Sequence, residues 1–236
     1  MKSRGFKNYR YIGDPINAVR IFNEFNADEL AFLDISATKN NRVISFDIVR
    51  DIGEEANMPF CVGGGIRELS QIREIISAGA EKVIIGTYAV ENPDFIREAA
   101  QEFGTSTITV CIDVKKKLFG KQQVWTLNGT KPSGLDPLEF AQSMEEKGAG
   151  EIIIQSIDND GEMHGYDLDL IKMISEKVSI PTIAMGGAGS VDDLRRAHTE
   201  AYATGVAAGS LFVYYGEKKG VLINYPERQE IDLLYA

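Results

Sequence analysis

The chain has 236 residues, 44% of them hydrophobic, and a formal net charge of −10 at pH 7. That length and apolar content suit a single domain spanning 1–236, and α/β barrels routinely reach this size. The charge argues against a general binder of nucleic acid or anionic membrane, though not against a local anion site built from backbone amides.

In chain order, residues 1–12 are basic and aromatic with no strand or helix pattern. No apolar run nears the roughly 18 residues of a membrane span, and Met1–Phe6 leads into no apolar region. Neither a signal peptide nor a membrane contact is expected, and the location predicted is cytoplasmic. Asp14-Pro15 has the form of a helix cap with proline at the first helical position, followed by the apolar face Ile16, Val19, Ile21 and Phe22. Glu29 to Ile35 is a short apolar run of the kind found in a strand buried on both faces. Helices are predicted over 44–56, 69–78, 93–103, 137–147, 168–177 and 191–202. Further strands are predicted over 59–62, 82–85, 107–112, 151–154, 180–184 and near 206. Residues 115–128 fit a small inserted hairpin, and 221–225 a short extra strand. Cys61 and Cys111 lie in apolar runs and read as reduced core thiols.

Strands alternating with helices predict a parallel sheet, and seven buried strands are one short of a closed (β/α)8 TIM barrel. Two glycine-rich turns organise the pattern. Met185-Gly186-Gly187-Ala188-Gly189-Ser190 is answered by Gly209-Ser210, and Val62-Gly63-Gly64-Gly65-Ile66-Arg67 by Gly86-Thr87. A shift of 123 residues superposes Gly86-Thr87 on Gly209-Ser210, and a shift of 122 superposes Asp14-Pro15 on Asp136-Pro137. Alone, such a run is more often a tight turn than a phosphate cradle. The repeat makes two cradles the better reading. It also shows which strand is absent. The strand at 107–113 has no partner in the first half, so closure of the barrel is expected from residues 1–6 or from Val221–Tyr225.

Chemistry in such a barrel sits at the C-terminal ends of the strands, where Asp34, Asp113, Ser156, Asp158 and Asp160 fall. Asp113 is the strongest acid–base candidate. The alternative is a structural loop cap or an ion pair with Lys115. Asp158-Asn159-Asp160-Gly161 lacks the later ligands of a calcium loop. His164 and His198 are isolated, so no metal site is expected. At the opposite ends, Glu29, Lys82 and Glu151 each begin a strand, and in a barrel they converge on the bottom mouth.

These stretches together resemble the HisF family, the cyclase subunit of imidazole glycerol phosphate synthase. The resemblance rests on Asp28–Ile35, Val62–Ile66, Ala89–Pro93, Ile112-Asp113, Gly148–Ile152, Ser156–Gly161, Gly165–Asp167 and Gly186–Gly189. It implies a twofold-repeated (β/α)8 barrel that pairs as a heterodimer, through its N-terminal face, with a HisH-like glutaminase. Ammonia then passes along the barrel axis to a phosphorylated small-molecule substrate. It implies no cofactor. By the same resemblance Gly65, Gly86 and Thr87 would hold one phosphate, and Gly161, Gly187, Gly209 and Ser210 the other, with Asp160 beside them. Asp113 would be one of two catalytic aspartates. Glu29, Lys82 and Glu151 would be three members of a four-residue ammonia gate. The first catalytic aspartate and the gate arginine belong to the strand not found here. Gly86 and Gln155 stand where the histidine-pathway enzyme has asparagine and threonine. Those departures are similar to a diverged branch associated with acetamidino sugars of surface polysaccharides. The alternatives are the histidine-pathway enzyme itself, a non-catalytic ammonia conduit or glutaminase activator, and a phosphosugar isomerase on a related barrel.

Overall fold

A computed structural model describes residues 1–117, 121–216 and 218–234. Seven parallel strands form the sheet: β1 (Leu30–Leu33), β2 (Phe60–Gly63), β3 (Lys82–Ile85), β4 (Ile108–Lys116), β5 (Glu151–Ser156), β6 (Thr182–Met185) and β7 (Gly205–Ala207). They lie side by side in sequence order, from β1 at one edge to β7 at the other. Among the described residues ten helices accompany them: α1 (Pro15–Glu24), α2 (Phe46–Glu55), α3 (Leu69–Ser77), α4 (Thr87–Glu91), α5 (Asp94–Phe103), α6 (Pro137–Glu146), α7 (Leu168–Ser175), α8 (Val191–Thr199), α9 (Ser210–Val213) and α10 (Arg228–Asp232). This is the (β/α)8 barrel architecture with seven of its strands in place. Among the described residues no helix is long and apolar enough to cross a membrane.

Side chains alternate along each strand, so the sheet has two apolar faces. The outer face carries Val62, Val83, Ile85, Val110, Ile112, Ile152, Ile154 and Ala184 and packs under the helices. The inner face carries Cys61, Ile84 and Ile153, with Leu33, Cys111, Ile183 and Met185 against them. Burying both faces is why these strands read as continuous apolar runs.

The repeat is realised in the backbone. Asp14 caps α1, accepting from the Asn17 N–H at 3.0 Å, and Asp136 caps α6, accepting from the Leu138 N–H at 2.9 Å, each ahead of a proline. Gly86 and Gly209 each precede a one-turn helix, α4 and α9. Neither short helix was predicted, because four or five residues carry no helical period.

Three expectations are corrected. Residues 1–12 are not patternless. Lys2–Arg4 pairs antiparallel with Lys7–Arg10 across Gly5 and Phe6, both with positive φ. With Lys2 and Ser3 half-buried and Arg4 and Lys7–Arg10 exposed, its strands have no buried face to impose an alternation. Neither segment expected to close the barrel does so. Residues 1–6 belong to that hairpin, and of 221–225 only Val221 is in a strand, where Gly220–Val221 pairs with Tyr214–Tyr215. Lastly, β4 does not stop at Asp113. It continues to Lys116 because Val114–Lys116 pair with Gln122–Val124 of an inserted strand, Gln122–Thr126. The inserted hairpin was predicted; its Phe119-Gly120 lies outside the described residues.

Glycine is required where two turns pass other backbone. A Cβ on Gly65 (φ +69°) would collide with the Arg42 carbonyl, and one on Gly187 (φ +123°) with the Gly165 carbonyl. Gly65→Ala is therefore expected to lower stability by about 2 kcal/mol or more. Urea denaturation at 25 °C checks it; a loss below about 0.5 kcal/mol would show that the turn can yield.

Candidate functional site

The inward side chains of the barrel form tiers along its axis. At the N-terminal end, the Lys82 Nζ lies 3.2 Å from a carboxylate oxygen of Glu29 and 3.2 Å from one of Glu151. Thr109 donates its hydroxyl to Glu151 Oε1 at 3.1 Å. Burial pulls the Lys82 ammonium down, but Glu151 and Glu29 outweigh it and the net shift is upward. The three charges picked from the strand starts are thus brought into one cluster. Above them comes the apolar tier with the thiols of Cys61 and Cys111. Burial, together with Glu29 and Glu151 nearby, raises the Cys61 thiol, and burial beside Asp113 raises that of Cys111. Both are therefore protonated and unreactive near neutral pH.

Asp113 faces the C-terminal end. It is paired in register with Gln155 of β5. Its ion-pair alternative is not realised: the Lys115 ammonium sits 5.1 Å from the centre of the Trp125 ring instead. The Cys111 thiol, two residues earlier on the same face, donates to Asp113 Oδ1 at 3.7 Å. Depth in the barrel raises the Asp113 carboxyl to about 7; the Cys111 bond opposes the rise and Asp160 adds to it. The carboxyl nonetheless touches a cavity of about 120 Å³, which keeps it reachable by small molecules. Near neutral pH such a group is populated both as acid and as base.

That cavity brings together Asp113, Asp34, Gly65, Gly86 and Thr87 with Phe6 and Tyr9 of the N-terminal hairpin. Around Gly65 the wall is fixed by a local network. Asp34 accepts from the Ser36 N–H at 2.9 Å and from Arg42 Nη1 at 2.6 Å. Burial raises the Asp34 carboxyl, but the Arg42 and Ser36 bonds outweigh it and hold it below the usual range. The Thr87 hydroxyl accepts from the Leu127 N–H at 3.0 Å, and Asn128 donates to the Ile35 carbonyl. The inserted hairpin is thereby pinned across the cavity rim.

The second glycine cluster lies apart from this cavity. Asp160 is buried and accepts from Ser3 Oγ at 2.7 Å, while its carbonyl accepts from the Gly5 N–H at 2.8 Å. A Cβ on Gly161 would meet the Ser3 carbonyl, and one on Gly209 would meet the Lys2 side chain. The hairpin thus lies over Gly161 and Gly209, and Ser210 beneath is buried. The N–H groups just ahead of α8 and that of Asp193 in its first turn are already bonded. Gly189 and Ser190 both donate to Asp193 Oδ2 at 3.0 Å, and Ser190 Oγ accepts from the Asp193 N–H at 3.2 Å. Asp158 is a structural cap, accepting from the Lys116 N–H at 2.9 Å. Among the described residues no group of three or more His, Cys, Asp or Glu is arranged to hold a metal ion.

The pattern defining a family described as histidine biosynthesis protein matches residues 1–219. The chain belongs to that family. A relative in Vibrio vulnificus, provisionally named imidazole glycerol phosphate synthase subunit hisF3, is 45% identical over 231 residues, 98% of this chain and 89% of that protein. One in Leptospira interrogans, provisionally named imidazole glycerol phosphate synthase subunit HisF, is 44% identical over 236 residues, 100% of this chain and 93% of its own. An Alkaliphilus metalliredigens protein named imidazole glycerol phosphate synthase subunit HisF is 42% identical over 214 residues, 91% and 85% of the two chains. The chain is a HisF-like member of this family.

In this HisF-like chain the sequence reading passed over Lys2 and Cys111. A lysine in a basic stretch without a strand or helix pattern carries no signal, and a cysteine in an apolar run reads as core. Only the fold sets one against Gly209 and the other against Asp113.

Two predictions follow from these electrostatics. A raised carboxyl pKa stabilises the folded state fully below the ordinary aspartate range and loses that contribution as pH rises through about 7. Asp113→Asn, which stays neutral, should therefore gain in melting temperature relative to the parent at pH 8.5 and show little difference at pH 4. Parallel melting curves for the two proteins across that range would sink the assignment. Lys82→Met leaves two carboxylates facing each other. It should cost about 1–2 kcal/mol at pH 8, with the deficit shrinking in acid, as read by urea denaturation at both pH values.

Proposed function

We propose that this chain is the ammonia-using synthase subunit of a glutamine amidotransferase complex. The observation that carries the reading is the tiered axis. It has an ion cluster at one mouth, an apolar and thiol lining behind it, and Asp113 facing a cavity at the other. Ammonia is small and neutral and crosses such a lining, whereas ammonium would have to shed its hydration with nothing to replace it. The Glu29–Lys82–Glu151 cluster stands at the entrance as a gate. A HisH-like glutaminase docks as the other half of a heterodimer over the N-terminal face and supplies the ammonia.

The substrate is a phosphorylated small molecule. Gly65, Gly86 and Thr87 hold one phosphate, and Gly161, Gly187, Gly209 and Ser210 the other, with Asp160 beside them bonded to the N-terminal hairpin. Attack of ammonia on an electrophilic carbon of that substrate leaves an excess proton on nitrogen. Asp113, as carboxylate, takes that proton and returns it to the departing group. The reaction needs no cofactor or metal, and the protein works in the cytoplasm as a single barrel domain.

Within this reading, amidine formation on a nucleotide-linked sugar of surface polysaccharide is the branch we favour. Gly86 and Gln155 depart from the histidine-pathway residues, and two relatives carry the numbered names hisF3 and hisF2. The Alkaliphilus metalliredigens relative favours the histidine pathway as the second reading.

Asp113→Asn is expected to lower ammonia-dependent turnover by roughly 100-fold or more, while glutamine hydrolysis by the partnered glutaminase persists. Unchanged turnover in a reconstituted complex would point to a conduit that leaves the chemistry to another subunit.

A further inference from the structure

Asp113 carries the proton chemistry proposed above, and few groups are placed to fix its carboxylate. Among the described residues Cys111 is the one side chain that donates to it, from Sγ to Oδ1 at 3.7 Å. That distance is ordinary for sulfur, a large atom and a weak donor. The strand period brings the two together. Cys111 and Asp113 stand two residues apart on β4 and share its inner face, while Val110, Ile112 and Val114 fill the outer one. Pairing with β5 holds both in place, Cys111 in register with Ile153 and Asp113 with Gln155. The Gln155 amide is engaged elsewhere, donating to the Ser156 carbonyl at 3.5 Å.

The charged and titratable groups around the cavity have other partners. Asp34 is bonded to Arg42, and Arg67 lies 3.5 Å from Glu91. Tyr9 donates to the Phe6 carbonyl at 3.0 Å. On the loop after β5, Asp160 accepts from Ser3. Lys115, next along the inner face of β4, rests on the Trp125 ring. Cys111 lines the same cavity as Asp113. Burial, with Asp113 and Cys61 nearby, raises the Cys111 thiol well above its ordinary value, so it keeps its proton wherever Asp113 titrates. Burial lifts the Asp113 carboxyl to about 7, the thiol bond opposes the rise, and Asp160 adds to it. A donor is held more tightly by a carboxylate than by a carboxylic acid, so this bond belongs to the basic form of Asp113.

We propose that Cys111 is a positioning residue for Asp113. Its thiol anchors Oδ1 and leaves Oδ2 to the substrate. It thereby sets the direction from which the carboxylate takes a proton, and it supports the charged form in a lining that offers that charge little else. The inference rests on the acid–base role given to Asp113 above. No bond changes hands at sulfur: the proton stays on Sγ throughout, and only its acceptor gains or loses charge.

The test follows the Asp113 carboxyl by NMR in the full chain, carbon-labelled at its aspartate carboxyls. The signal is identified by its absence from Asp113→Asn, and it titrates clear of the ordinary aspartates, whose midpoints lie at about 4. Cys111→Ala and Cys111→Val both remove the donor, and Val also fills the space a water could take. Both are expected to move the midpoint above that of the parent. Cys111→Ser, which restores a donor, is expected to bring it back down. In the parent, the infrared S–H band of Cys111 should move to higher frequency as Asp113 is protonated. A role in packing alone predicts none of this. The proposal is overturned if the Ala, Val and Ser variants share the parent midpoint, if Ser behaves as Ala does, or if the S–H band ignores pH. Because the titration needs neither ammonia nor substrate, it stands apart from turnover: full activity of Asp113→Asn would overturn the catalytic reading of Asp113 instead.

Discussion

A parallel strand with helices outside and other strands' side chains inside has no face left for water. Every second residue must then either pack under a helix or stand on the axis of the barrel, and the second set is small. In this chain it is Glu29, Lys82, Thr109 and Glu151 at one end, Cys61, Ile84, Cys111, Ile153 and Ile183 in the middle, and Asp113, Gln155 and Met185 at the other. The order of chemistry along the axis is set by the distance of each residue from the start of its strand. Charges at the first position meet one another, apolar residues and thiols follow, and a carboxyl four residues beyond Thr109 reaches the cavity. Burial that would be costly for a free charge is tolerated at one end because three charges are shared. At the other end it leaves a carboxyl near neutrality.

Much of this was legible before any coordinates. A strand with a single period and a 122–123-residue repeat carry their own registers. The alternation of elements, the caps at Asp14 and Asp136 and the convergence of Glu29, Lys82 and Glu151 all followed from position alone. The number of barrel strands followed by the same reasoning, because the repeat named the one without a partner.

What was not legible depends on contacts distant in sequence. Whether Asp113 pairs with Lys115 turns on Trp125, which captures the ammonium from an inserted hairpin. Whether the N–H groups of Gly189 and Ser190 ahead of α8 are free turns on Asp193, a residue of the helix itself. The N-terminal hairpin gave no pattern because neither strand has a fully buried face, and it acquires meaning only from Asp160, Gly161 and Gly209 beneath it. Closure by Val221–Tyr225 failed for a related reason. Tyr225 is held by rings on both sides and by Asp28, which fixes the segment outside the sheet rather than within it.

The duplication makes the two glycine turns alike in backbone and unlike in surroundings. Gly86-Thr87 opens on the cavity beside Asp113, whose wall also carries Arg67. Gly209-Ser210 is roofed by the hairpin, with the Lys2 side chain against the glycine. One turn thus faces an open cavity and the other lies beneath a strand. The symmetry of the halves stops at the backbone of the turns and does not extend to what covers them.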